Sequence, residues 1–228
     1  MRRHLRPRVT VQTLPNSYDE TRFNPAVRGH WRTASRGEFR REDDDVAFAF
    51  ASLAHYKRKG FWLAVEALVH LRSDPGRGRT KFLVIGGSPV ALAALQKQLD
   101  EHAPDWKSWI IFTGHQPLLE KPLSAAEAFL YPSYFEAFCF AEIEAAALGI
   151  PVLLTRHHGS EMILEDGVNG LWLEFDAAAI ADTLRRFVRM QPSPFRRSVG
   201  RALKRTQYVE RLLAVYDATL EDCRPLRF

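Results

Sequence analysis

The sequence has few cysteines and no long apolar segment, and both absences limit what the chain can be. Its two cysteines, Cys139 and Cys223, are too few for a disulfide framework and lack metal-binding spacing, which indicates a reducing compartment. No apolar run approaches the ~20 residues of a membrane-spanning helix. The basic start of the sequence lacks the apolar core of a signal peptide. We therefore expect a cytoplasmic protein.

Modules that recognise nucleic acids are also missing. The sequence has no zinc-finger spacing, no aromatic stacking motif and no basic region followed by heptads. Its net charge is +5, with arginines concentrated in residues 1–41 and 185–205. This excess favours peripheral contact with an anionic membrane, or with phosphorylated ligands, over nucleic acid. A basic surface that is merely solvated is an equal alternative.

Short apolar segments alternate with helical patterns from residue 46 onward. Strands are predicted at VAFAFA, KFLVIGG, SWIIFTG, FLY, PVLLT and GLWLEF, and helical patterns, including LSAAEA, separate most of them. Nearly continuous apolar strands separated by helices are typical of a parallel sheet covered on both faces. The predicted fold is therefore α/β, with a doubly wound Rossmann-like sheet that binds ligands at the carboxyl ends of its strands.

Other segments flank this sheet. Residues 1–45 contain three prolines, many arginines and an acidic run, which predicts an arm with little packed structure beyond a short strand at Val9–Leu14. Residues 46–190 predict the ligand-binding domain, and residues 191–228 a helical tail. The apolar stripe of that tail consists of Tyr208, Leu212, Val215 and Tyr216.

The segment FLYPSYFEAFCFAEIEAAALGIPV combines a buried strand end, a turn and a short helix. Strong helix formers over Phe140–Leu148, followed by a glycine and a proline, predict the helix. On a helical wheel Glu144 falls on the packing face, where it requires a hydrogen-bond partner, and Glu142 points to solvent. Glu136 precedes the helix, where free amides favour polar ligands. Glu136 and Glu144 thus border one predicted cleft, although paired or capping acids are the more ordinary explanation.

Further candidates follow other predicted strands. Three cations precede a helix start after the first strand, an arrangement that suits a diphosphate, with solvated cations as the alternative. Glycines after the next two strands would let a ligand approach the backbone. These cations, glycines and an adjacent histidine are Lys57, Arg58, Lys59, Gly86, Gly87, Gly114 and His115. His157 and His158 do not predict a metal site, because adjacent residues seldom chelate one ion and no third ligand is evident.

The segment around both glutamates resembles the motif PS..E.FG....EA...G.PV of the family 4 (group 1) glycosyltransferases. The matching positions are Pro132, Ser133, Glu136, Phe138, Glu144, Ala145, Gly149, Pro151 and Val152. Ala137 and Cys139 stand where that family usually has glycine, which would reshape the ligand pocket. Lys59 and Gly60 match the family's basic loop, whereas Ser52 occupies the position of its usual arginine.

The resemblance implies a role for each of these positions. Glu136 would contact hydroxyls of a donor sugar, Glu144 the ribose hydroxyls of its nucleotide, and Lys59 the diphosphate. His115 would lie near the base. The implied catalytic residues are Glu136 and Lys59. The implied donor-binding residues are Glu144, Ser52, Lys57, Arg58, Lys59, Gly86, Gly87, Gly114, Phe138, Cys139 and Phe140.

The resemblance also implies the C-terminal half of a GT-B fold, similar to lipopolysaccharide-core glucosyltransferases. It implies retaining transfer of a hexose from a nucleotide diphosphate sugar, expected to be UDP-linked, to a glycan, lipid or small-molecule acceptor, with no metal or other cofactor. The segment LPNSYDETRFNP resembles the family's interdomain link, so we expect the acceptor domain to lie outside these residues, either in a separate acceptor-domain protein, fused, or lost.

Two alternatives remain. One is a nucleotide-sugar-binding subunit or remnant without its own activity, because transfer requires an acceptor held against the anomeric carbon. The other is a dinucleotide oxidoreductase on a similar sheet, but the first strand is not followed by its glycine fingerprint.

Overall fold

The structure, a computed structural model, describes residues 12–39, 42, 44–75, 79–190, 195–201 and 203–222. Its strands are β1 (Ser17–Tyr18), β2 (Val46–Ala51), β3 (Thr80–Ile85), β4 (Ile110–Gly114), β5 (Ala128–Tyr131), β6 (Val152–Thr155), β7 (Gly170–Leu173) and β8 (Leu203–Lys204). Its helices are α1 (Pro25–Glu38), α2 (Phe61–Arg72), α3 (Pro89–His102), α4 (Glu120–Ser124), α5 (Phe140–Ala147), α6 (Ala177–Arg189) and α7 (Arg205–Asp222). None of these described helices is long and apolar enough to cross a bilayer.

Six parallel strands form the main sheet in the order β4-β3-β2-β5-β6-β7. This confirms the predicted doubly wound parallel sheet. The order reverses beside β2, whose neighbours are β3 and β5, and a ligand crevice is expected at such a switch point. The loops that follow β2 and β5 therefore diverge at the carboxyl ends of these strands, where the candidate residues were predicted to lie.

The central strands are buried on both faces, which explains why their sequences show no alternation of polar and apolar residues. All four interior residues of β2 are 0% exposed. The Phe50 ring lies within 6 Å of the rings of Phe61, Phe82 and Tyr131. Each fully buried aromatic side chain of this kind contributes about 1.5–3 kcal/mol, so this cluster anchors both β2 and the helix that follows it.

The prediction that residues 1–45 form an arm with little packed structure was wrong, because α1 lies within them. Asn24 caps this helix by accepting hydrogen bonds from two first-turn amides at 3.1 Å, and Pro25 occupies the first helical position. Arg28 donates to the carbonyls of Gly149 at 2.7 Å and Ala126 at 3.1 Å. The helix is thus attached to the domain by arginine hydrogen bonds, which a search for apolar periodicity does not detect.

Two further boundaries differ from the sequence pattern. Most of the predicted strand Val9–Leu14 lies outside the described residues and the rest of it is not a strand, whereas β1 pairs with β8. In LSAAEA the helix α4 ends before Glu127. The Glu127 carboxylate accepts hydrogen bonds from Arg32 at 2.8 Å, Arg36 at 3.1 Å and the Ala47 amide at 2.7 Å. This tertiary contact fixes Glu127 at the start of β5 despite its helix propensity.

The predicted break in the tail, at residues 191–194, lies outside the described residues. Beyond it α7 carries the predicted stripe, of which Tyr208, Leu212 and Val215 are half-buried and line a cavity of about 560 Å³ with residues 12–14. Tyr216 is exposed. The stripe therefore packs in part against the chain just before β1.

Candidate functional site

A cavity of about 520 Å³ opens at the carboxyl ends of β2, β3 and β5, beside the start of α5. Its walls include eight of the predicted residues, namely Ser52, Arg58, Lys59, Gly86, His115, Cys139, Phe140 and Glu144. The topology of the sheet brings these residues together from four separate stretches of the sequence. The strand ends therefore build one site, where a parallel sheet is expected to bind its ligand.

The Lys59 ammonium group, the Tyr131 hydroxyl and the Glu136 carboxylate form a closed network. Lys59 donates to Glu136 and, at 2.8 Å, to the Tyr131 oxygen, while Tyr131 donates to Glu136 at 2.9 Å. Burial opposes ionisation of Glu136, but the hydrogen bonds from Lys59 and Tyr131 lower its pKa below the ordinary value. Burial raises the pKa of Tyr131, so its hydroxyl keeps its proton. The site thus holds an ionised carboxylate beside a lysine.

Tyr131 was not among the predicted site residues. It is the last residue of β5, and it stands before Pro132 in the recognised motif. A hydroxyl at the carboxyl end of a buried strand is the signal that would have identified it, because a buried phenol needs a hydrogen-bond partner.

Glu144 is half-buried on α5, and its side chain lines the cavity. Burial raises its pKa to about 7, while Arg22 opposes this rise. Arg22 itself is held by the buried Glu120, at 2.6 and 3.1 Å. No described group donates a hydrogen bond to the Glu144 carboxyl, so its oxygens are available to a ligand.

The prediction that Glu142 points to solvent was wrong. Its side chain is 0% exposed, and Glu142 Oε1 lies 2.9 Å from His157 Nε2. Helix α5 is buried on nearly all sides, since Ile143 and Ala145–Ala147 are at most 1% exposed. A helical wheel assumes one exposed face, and for a helix enclosed in this way it cannot separate inward from outward acids.

The three predicted cations are not equivalent. Lys59 joins the network with Glu136, whereas Lys57 is exposed and lines a second cavity, of about 1150 Å³, along α2. Arg58 is exposed and borders both cavities. The Ser52 hydroxyl donates to the Ala54 carbonyl at 2.5 Å, so it stabilises the loop that carries these cations.

Two of the predicted glycines, Gly86 and Gly87, adopt backbone conformations and close contacts that favour glycine. Gly86 and Gly87 have φ angles of 95° and 96°. A methyl group on Gly86 would lie 2.6 Å from the Ser52 carbonyl oxygen, and one on Gly87 would lie 2.1 Å from the Tyr56 hydroxyl. Both glycines are therefore required for the packing of the strand ends. Gly87, Gly114 and His115 line an adjacent cavity of about 850 Å³.

The start of α5 contributes backbone amides. Cys139 occupies the N-cap position without a side-chain hydrogen bond, so the amides of the first turn have no side-chain cap. Burial raises the pKa of the Cys139 thiol, which therefore stays protonated. Phe140 is 53% exposed at the cavity, whereas Phe138 is half-buried and packs against the core. A helix N-terminus beside Lys59 favours an anionic ligand.

The family of this chain follows from comparison with known proteins. The family model described as Glycosyl transferases group 1 matches residues 44–190. The chain belongs to this family. The resemblance of the PS..E.FG motif to group 1 glycosyltransferases is thereby confirmed.

Individual relatives are similar to the chain in sequence, and solved structures are similar to it in fold. D-inositol 3-phosphate glycosyltransferase of Geodermatophilus obscurus is 28% identical over 226 residues, which are 95% of this chain and 49% of the relative. Anabaena HepE in complex with UDP-glucose has a TM-score of 0.72 at 14% identity, covering 89% of this chain and 56% of HepE. The C-terminal domain of the group 1 protein LpcC from Francisella tularensis has a TM-score of 0.64 at 22% identity, covering 86% and 97%.

The alignments with the relative and with the LpcC domain differ in how much of each protein they cover. The chain spans about half the length of the curated relative it matches, and nearly all of a solved C-terminal domain. The predicted fold, the Rossmann-like C-terminal half of a GT-B glycosyltransferase, is therefore confirmed.

Proposed function

We propose that this group 1 glycosyltransferase chain binds a nucleotide diphosphate sugar, with UDP-hexose as the expected donor, and supplies the donor half of a retaining hexosyl transfer. The observation that carries the proposal is the convergence of Lys59, Glu144 and the uncapped start of α5 on one cavity, with ionised Glu136 bonded to Lys59. Each group matches a different part of such a donor. The solved complex of HepE with UDP-glucose, which has a similar fold, supports this choice of ligand.

Lys59 and the first-turn amides of α5 are proposed to hold the diphosphate. The negative charge on the diphosphate grows as the glycosidic bond to the sugar breaks, and preorganised donors in a partly enclosed site stabilise that charge. An ammonium group and a helix N-terminus both provide such donors without a metal ion. Arg58, at the rim of the cavity, adds a positive charge that attracts the donor.

Glu136 and Glu144 are proposed to bind the two ends of the donor, the sugar and the ribose of the nucleotide. Ionised Glu136 is an acceptor for sugar hydroxyls, because Lys59 and Tyr131 bond to its Oε1 and no described group donates to its Oε2. Glu144 lies on the same cavity and is an acceptor for the ribose hydroxyls of the nucleotide. The acceptor of the sugar, whether glycan, lipid or small molecule, would be bound by the other half of the enzyme.

Titration calorimetry with UDP, UDP-glucose and GDP-mannose tests the site. We expect Glu144→Ala to weaken UDP binding by about 10- to 150-fold, because a hydrogen bond to a charged group contributes roughly 1.5–3 kcal/mol. Glu136→Ala should leave UDP binding nearly unchanged and abolish the additional affinity for UDP-glucose. Glu101→Ala, which removes an exposed acid from α3, is the matched control. Equal and negligible effects of both site variants would contradict the assignment.

A second candidate is a donor-binding subunit that has no activity alone, and it is favoured by the coverage of about half the relative's length. Donor hydrolysis and sugar transfer, assayed with this chain alone and with an added acceptor-domain protein, separate the two functions. Turnover by the chain alone supports the enzyme. Binding without turnover, restored by the added protein, supports the subunit.

A further inference from the structure

The pair formed by Glu142 and His157 has no part in the function proposed above, yet it adjoins the cavity. Glu142 lies in the first turn of α5, directly after the cavity-lining residues Cys139–Ala141, and His157 lies in the loop after β6. Their side chains are 0% and 1% exposed, and Glu142 Oε1 is 2.9 Å from His157 Nε2. The two residues therefore form a buried carboxyl–imidazole pair beside the proposed donor site.

This pair is poorly satisfied by its surroundings. The two facing atoms are within ion-pairing distance without the alignment of a hydrogen bond, and in the described chain neither Glu142 Oε2 nor His157 Nδ1 has a hydrogen-bond partner. Burying polar groups without hydrogen-bond partners costs free energy that two apolar side chains of similar volume would not cost. A contribution to stability therefore does not account for the pair.

The loop that carries His157 also supports the Glu136–Cys139 loop. A methyl group on Gly159 would lie 2.9 Å from the Ala137 carbonyl oxygen and 3.0 Å from the Phe138 Cα atom, so the two loops are in backbone contact. The contact between Glu142 and His157 adds a second link, between the His157 loop and the first turn of α5. These two links fix both ends of the segment whose amides open onto the cavity.

The charges of the pair also act on the site. Against the effect of burial, the charge of His157 adds to those of Lys59 and Tyr131 in lowering the pKa of Glu136. Burial, and then the negative charge of Glu142, raises the pKa of Cys139. The pair thus favours an ionised Glu136 and a protonated thiol at the start of α5.

We propose that Glu142 and His157 are a positioning pair for the donor site, an inference that rests on the proposed function. The pair holds the first turn of α5 against the His157 loop. It thereby keeps the Glu136 carboxylate and the amides of Cys139 and Phe140 where the sugar and diphosphate of a donor contact them. Neither side chain touches the donor, because both are buried.

The test compares UDP-glucose affinity and melting temperature in the full chain and its variants. Glu142→Gln and His157→Gln each leave one buried group without its native partner, and we expect each to lose UDP-glucose affinity about tenfold. The double variant Glu142→Leu/His157→Leu buries no charge, so it should melt at or above the wild-type temperature. It should still bind UDP-glucose about tenfold more weakly, because an apolar contact is non-directional and leaves Glu136 without the charge of His157. His158→Ala, at the exposed neighbouring position, is the control and should bind normally.

Wild-type affinity in a double variant that melts like the wild type overturns the inference, because the pair would then only fill space. If the double variant does not fold, Glu142→Gln decides, and unchanged UDP-glucose affinity in that variant overturns the inference. In either event loss of UDP binding by Glu144→Ala leaves the proposed function intact. If the wild-type chain binds none of UDP, UDP-glucose and GDP-mannose, the proposed function fails and the inference fails with it.

Discussion

Three glutamates within one loop and helix differ in their tendency to ionise, although they have the same chemistry in water. The pKa of Glu136 is lowered because hydrogen bonds from Lys59 and Tyr131 outweigh its burial. Burial raises the pKa of Glu142 against the opposing effect of His157, and it raises that of Glu144 to about 7. Strongly perturbed acids concentrated at one cavity are typical of a functional site.

The raised pKa of Glu144 predicts a specific dependence of stability on pH. The unfolded glutamate loses its proton near pH 4.5 and the folded one near pH 7, so the folded state binds more protons between these values. Its contribution to stability is therefore present below pH 4.5 and is lost as the pH rises to about 7. Glutamine does not ionise, so the Glu144→Gln variant avoids this decrease in stability. We expect its free energy of unfolding at pH 8 to exceed that of the wild type by roughly 1–3 kcal/mol.

Urea unfolding at pH 5 and pH 8 measures this difference. The same substitution at the exposed Glu101 is the control, and it should change stability equally little at both pH values. A Glu144→Gln variant whose stability relative to the wild type is the same at pH 5 and pH 8 would show that Glu144 ionises normally in the folded protein.

At the scale of elements, α1 shows how a helix with little apolar surface is held in place. Arg28, Arg32 and Arg36 recur at helical spacing, so all three lie on one face and donate to groups at the start of β5 and the end of α5. The helix presents cations to backbone carbonyls and to Glu127. Polar contacts of this kind are specific in geometry, which fixes α1 beside α4.

Arg28 is expected to contribute most to the attachment of α1. It is largely buried, which lowers its pKa to about 10, and Arg28→Ala leaves the carbonyls of Ala126 and Gly149 without this donor. The variant loses the hydrogen bonds from a charged donor, but it no longer has the cost of burying the guanidinium charge. Because the hydrogen bonds contribute more than that cost, we expect the free energy of unfolding to fall by about 1–3 kcal/mol.

Denaturant unfolding compares this variant with Arg32→Ala. The Arg32 side chain is 36% exposed, and its removal should cost less than about 1 kcal/mol, as for other surface ion pairs. If Arg32→Ala costs as much as Arg28→Ala, attachment of α1 does not depend on the buried hydrogen bonds.

At the scale of the whole molecule, net positive charge and the placement of the site predict how donor binding responds to salt. The chain carries a net charge of +5, and Lys59 and Arg58 face the cavity. We expect UDP-glucose affinity to fall about three- to tenfold between about 50 and 500 mM NaCl, because salt screens the attraction of the diphosphate.

Substitution of Arg58 or Lys57 removes the same net charge, so comparing the two variants separates the effect of charge at the cavity from the effect of net charge. Arg58 borders the proposed donor cavity, whereas Lys57 lines only the cavity along α2 among those described. Arg58→Ala should therefore reduce both the affinity and its salt dependence more than Lys57→Ala does. A larger effect of Lys57→Ala would place the diphosphate outside the cavity proposed here.

The sheet could be predicted because each of its strands is recognisable from a short segment of the sequence. Each central strand, such as VAFAFA, is an apolar run between turns, and the loop signals that follow identify the strand ends. The recognised motif then placed Glu136 and Glu144 with seven residues between them. The structure brings Glu144 and Lys59 to one cavity, with Glu136 bonded to Lys59. Helix α1 could not be predicted from apolar periodicity, because its contacts are hydrogen bonds to groups far along the chain.

The sequence by itself determined the six strands of the main sheet, the family and the residue types available at the strand ends. Only the tertiary structure decided which acid is buried and which faces the cavity. Glu142 and Glu144 lie two positions apart on one helix, yet Glu142 contacts His157 and Glu144 opens toward the cavity near Arg22. The physical reason is that the ionisation and exposure of a side chain depend on partners from other elements, which helical periodicity does not encode.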